Sequence, residues 1–143
     1  MKKFSFPLTR VMEWRRTEAR IEEAALERLY AGLQAIDMRE ALLNEERAQS
    51  EKAVLRQSST TGAELASLDG FKRFIVAERF RIQRLRTECH KKISAQLHVV
   101  TLKRRDVRLL EKLKDERLKT WNVGLAHEID QQAEESYLAK WNR

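Results

Sequence analysis

The sequence is short of the residues that interrupt helices. One proline, Pro7, and four glycines stand among 143 residues. So few breakers leave little room for the turns of a sandwich, a barrel or a doubly wound sheet. The single cysteine, Cys89, excludes an internal disulfide and any multi-cysteine zinc site. Aromatics make up only 7 %, and no apolar run approaches the ~18 residues of a membrane span. After the basic start, Leu8-Thr9-Arg10 stands where a secretory signal needs its apolar stretch, so a cytoplasmic chain is expected. What is abundant is charge, 36 % of the residues beside 42 % apolar ones. That balance favours long helices, and the length is that of one domain.

Only the stretch Gln57-Ser58-Ser59-Thr60-Thr61-Gly62 to Gly70 reads as a connector, with two of the glycines and a cluster of hydroxyl residues. Pro7 closes an extended tail, and Thr9 is positioned to cap the first helix. The expected architecture is all-α. Helix 1 runs from about 8 to 57, a connector from about 58 to 69 and helix 2 from about 70 to 141. At 1.5 Å per residue the helices measure roughly 75 and 105 Å, too long for a globular core.

An apolar stripe explains how such helices persist. On helix 1 it passes through Val11, Trp14, Ile21, Ala25, Leu29, Leu33, Ile36, Leu43 and Val54. On helix 2 it passes through Phe71, Ile75, Ile82, Leu85, Cys89, Ile93, Val100, Val107, Leu110, Leu118, Trp121, Leu125 and Ile129. Steps of three, four, seven or eight are those of a coiled-coil seam. Glu40, Arg47, Glu78 and Gln96 fall on or beside it, which predicts local looseness. Charge then selects the pairing. Residues 21–56 carry eight acids and five bases, whereas residues 72–119 carry sixteen bases and six acids. Two copies of helix 2 repel, and helix 1 attracts helix 2, so a monomeric antiparallel coiled-coil hairpin is expected.

Residues that could carry chemistry are sparse. Phosphate-cradling glycine loops and zinc-protease motifs are absent from the sequence. Cys89, His90 and His98 are a poor metal set, because neighbours on a helix point about 100° apart. A seam cysteine beside solvated histidines accounts for them. Neither an enzyme nor a cofactor is expected. In the basic runs around Arg79 to Arg86 and Lys103 to Lys114 aromatics are not interleaved as a series of stacking platforms, so the runs read as a solvated, ion-paired face and not as a specific nucleic-acid surface. A nucleic-acid-binding coiled coil and a homodimeric scaffold are the competing classes. Large apolar groups gather at the termini instead: Phe4, Phe6, Trp121, Tyr137 and Trp141. They either pack on one another or face a partner.

Three segments resemble the FliJ family, the small stalk subunit of the bacterial flagellar export ATPase complex. The opening Phe4-x-Phe6-x-Leu8-x-x-Val11 precedes Glu13, Arg15-Arg16 and Glu18. The connector Gly62-Ala63-Glu64-Leu65 leads into Phe71-x-x-Phe74. The third segment is Leu110-Glu111-Lys112-Leu113-Lys114-x-x-Arg117-Leu118, followed by an end rich in Glu and Gln. The family's single loop aromatic is here spread over Phe71 and Phe74. The resemblance implies a noncatalytic hairpin whose termini end binds a hexameric export ATPase and promotes its assembly. Its other end would reach a membrane-embedded export gate and export chaperones at the inner face of the cell membrane. The stalk of virulence type III secretion systems is similar. Carried onto this sequence, the ring contact falls on Phe4, Phe6, Leu8, Arg10, Lys114, Arg117, Lys119, Trp121 and Leu125. The gate or chaperone contact falls on Phe71 and Phe74.

Overall fold

A computed structural model describes residues 2–141. It is an all-α antiparallel hairpin of two helices, α1 (Thr9–Leu55) and α2 (Gly62–Trp141), and the described residues include no strand. Ahead of α1, Phe6 to Thr9 form a turn in which Pro7 supplies its fixed φ at the second position. The Thr9 amide donates to the Phe6 carbonyl at 3.2 Å, and the helix proper begins with the Met12 amide on the Leu8 carbonyl at 2.9 Å. Thr9 is therefore not the cap that its position suggested. Its hydroxyl donates backwards to the Phe6 carbonyl at 2.6 Å, which closes the proline turn.

The connector is half as long as expected and sits earlier, at residues 56–61. A capping box explains this. The Thr61 hydroxyl accepts from the Glu64 amide at 3.3 Å, and the Glu64 carboxylate accepts from the Thr61 amide at 3.1 Å. Two orphan donors of the first turn are thus satisfied, and α2 starts at Gly62. Gly70, which was expected to end the connector, lies inside the helix.

Contacts divide the chain into two compact units, one of residues 22–99 and one of residues 2–21 with 100–141. In the unit of residues 22–99 the covered line on α1 is Leu26, Leu29, Leu33, Ile36, Glu40, Leu43, Arg47, Ser50 and Val54. It alternates steps of three and four throughout, the 3.5-residue period of a coiled coil. The facing line on α2 is Leu68, Phe71, Ile75, Glu78, Ile82, Arg86, Cys89, Ile93 and Gln96. Its two successive steps of four, from Glu78 to Ile82 to Arg86, shift the seam by one residue, a stutter. Leu85, expected in the seam, is consequently exposed and Arg86 takes its place. Leu43, Ile75 and Ile82 form a buried cluster, with Ile36 and Phe71 against it.

Polar layers interrupt this seam, as Glu40, Arg47, Glu78 and Gln96 foretold. Arg86 donates to Asp37 at 2.9 Å and, more closely, to Glu40. The hydrogen bonds that it donates to Glu40 and then to Asp37 raise the guanidinium pKa above its ordinary value. Gln96 Nε2 donates both to the Glu22 carbonyl at 3.0 Å and to the Glu22 carboxylate at 2.6 Å. In the unit of residues 2–21 and 100–141 the buried apolar residues are Phe6, Met12, Ala19 and Val100. Val11, Trp14 and Ile21, expected in the seam, face solvent there. Two apolar lines at similar spacing run along the start of α1. The line through Met12 and Ala19 is covered and the other is left outside.

Candidate partner-binding surfaces

The N-terminal tail and the late part of α2 meet directly. The Phe4 ring lies 5.9 Å from the Trp121 ring, tilted by 59°, an arrangement that brings a ring edge toward a ring face. Trp121, Leu125 and Leu8 are half-covered. Phe6 is 5 % exposed. A partner could therefore touch it only after the proline turn opens. The Thr9 bonds to its carbonyl hold that turn closed. Arg10, Arg117 and Lys119 are exposed, whereas Lys114 is half-covered on the line Leu110, Lys114, Leu118, Trp121.

Ion pairs border this unit. Glu18 binds Arg15 at 3.0 Å and Lys103 at 3.5 Å, Asp106 lies 3.9 Å from Arg15, and Arg16 reaches Glu111 at 3.0 Å. They use acids and bases from both helices, so part of the cationic character of α2 is neutralised within the hairpin. The Arg15 guanidinium also lies 4.9 Å from the centre of the exposed Trp14 ring. Past Leu125 every residue up to Trp141 is exposed, and the Tyr137 and Trp141 rings stack at 6.3 Å.

At the connector end the two expected aromatics divide their roles. Phe71 is half-covered and packs on the Leu43, Ile75 and Ile82 cluster. Phe74 stacks on it at 6.3 Å with its outer side in solvent. The structure adds residues that sequence reasoning missed. Phe80 is 70 % exposed, and with Val76, Arg79, Gln83 and Glu40 it lines a shallow hollow. Arg79 is held in place by Asn44. The signal was available: Val76 and Phe80 are apolar but fall out of step with Ile75, Glu78 and Ile82. A second hollow at the connector is lined by Val54, Leu68 and Phe71 with Ser50, Gln57, Glu64 and Ser67. Cys89 is buried with its thiol 3.5 Å from the Leu29 carbonyl, and His90 and His98 are exposed.

These features are open hollows and exposed aromatics bordered by charge. Comparison with family models, with curated proteins and with solved structures yields no match.

Proposed function

We propose that the chain is a noncatalytic stalk of the bacterial flagellar protein-export apparatus, acting at the inner face of the cell membrane. The termini end engages the hexameric export ATPase, and the connector end engages the export gate and export chaperones. The observation that carries this reading is the seating of Phe4 on Trp121 at the end of a two-helix hairpin. It presents tail and α2 as one surface of half-covered apolar groups with Arg10, Arg117 and Lys119 exposed. No helix among the described residues is long and apolar enough to cross a membrane, so attachment to the membrane would go through the gate.

The mechanism rests on symmetry. One hairpin in a six-fold ring cannot make six equal contacts, so it favours some ATPase subunits over others. Differential contact of this kind is how a noncatalytic subunit shifts assembly or turnover. The test is ATPase stimulation by the purified chain. Trp121→Ala removes the seat of Phe4 and is expected to abolish stimulation while helicity by circular dichroism is unchanged. Reversing Arg117 and Lys119 to Glu is expected to slow association and reduce its dependence on salt. Full stimulation by the folded Trp121→Ala variant would move the ring contact elsewhere, with Phe74 and Phe80 the next candidates.

A further inference from the structure

We infer that residues 126–141 of α2 are a docking helix for a basic helical surface on another protein. The inference concerns this segment alone and does not rest on the stalk reading. All sixteen residues are exposed, yet they include Ile129, Tyr137, Leu138 and Trp141. Beyond Leu125, the last half-covered position, apolar residues recur in strict steps of four: Ile129, Ala133, Tyr137 and Trp141. Each such step advances about 40° around the helix. The row is therefore an inclined ridge, which packs into the groove of a helix that crosses it. Seam positions that alternate three and four instead track a helix running alongside. The segment is thus a face of a different kind from the hairpin seam. Its end is broadened by the stacked Tyr137 and Trp141 rings, side chains that commonly anchor interfaces.

Charge selects the occupant. Residues 126–141 carry Glu128, Asp130, Glu134 and Glu135 against Lys140, net −3, in a chain of net +7. The same segment of a second copy repels it, and so does an anionic lipid surface. A basic helical surface attracts it and gains from apolar contact along the ridge.

The test uses the full-length chain and two labelled synthetic amphipathic helices with the same apolar face. One has lysine and the other glutamate at the polar positions. Binding is read by anisotropy at two salt concentrations, with sedimentation of the chain alone and flotation with phosphatidylglycerol vesicles beside it. The lysine peptide is expected to bind, more weakly at high salt. Ile129→Ser with Tyr137→Ser, and separately Asp130→Lys with Glu134→Lys, should each weaken it by about tenfold or more. All four positions are exposed, so helicity should hold in both variants. The glutamate peptide, drawn to the basic remainder of the chain, should ignore the Ile129 and Tyr137 changes. Lysine-peptide binding that both variants leave intact would overturn the proposal. So would self-association or vesicle binding that those variants abolish, since the occupant would then be a second copy or a membrane.

Discussion

The two contact units use the same pair of helices differently. In residues 22–99 the apolar part of the seam is built mainly of Leu and Ile, and the cluster of Leu43 with Ile75 and Ile82 is sealed from solvent. In residues 2–21 and 100–141 the buried set is small, Phe6, Met12, Ala19 and Val100, and ion pairs from Arg15, Arg16 and Lys103 border it. A tail folded back through a proline turn then covers what α1 cannot. The difference teaches where specificity resides. Ion pairs join the helices in both units, Lys72 with Glu51 and Arg86 with Asp37 in the first. What differs is the apolar part: a run of Leu and Ile in one, a short buried set capped by the Phe4 and Trp121 rings in the other.

Substitutions can sharpen that contrast. The largest loss is expected for Leu43→Ala, which empties the sealed cluster. About 2–4 kcal/mol is expected in chemical denaturation, the low end being appropriate to a two-helix seam. Met12→Ala, at a side chain almost as enclosed, should cost a comparable amount, and a much smaller loss there would show that the unit of residues 2–21 and 100–141 depends little on burial. Next comes Thr61→Ala, which removes one arm of the capping box and should cost about 1 kcal/mol. Hydrogen exchange should quicken in the first turn of α2 and not at Leu43. A cost near zero would mean that another group starts the helix. The smallest effects belong to Leu85→Ala and Ile21→Ala, about 0.5 kcal/mol or less because both side chains face solvent. A loss comparable to that of Leu43 at either would return it to the seam.

Much of the fold was legible in the chain. The scarcity of glycine and proline, one connector region and an acidic helix facing a basic one are enough for an antiparallel hairpin. Even the polar seam positions Glu40, Gln96 and Glu78 could be read from their spacing. Register was less legible. Val11, Trp14 and Ile21 form as good an apolar line as Met12, Ala19 and Leu26, and spacing alone does not say which line is covered. The candidate surfaces divided in the same way. Phe4 beside Trp121 could be anticipated from two aromatics without local partners. The exposure of Phe80 was signalled only by its falling out of step with Ile75, Glu78 and Ile82, and the burial of Phe6 had no such signal.

The sequence by itself determined what is local and periodic: helical class, the sign of each helix, and the capping box at Thr61 and Glu64, whose donors and acceptors lie within one turn. Only the tertiary structure decided which of two apolar lines on α1 is covered and that Arg86, not Leu85, enters the seam. It also decided that Phe4 seats on Trp121 while Phe6 is enclosed. These choices depend on the partner helix, because neighbouring residues on a helix point about 100° apart. A shift of one residue in the pairing therefore exchanges a buried side chain for an exposed one.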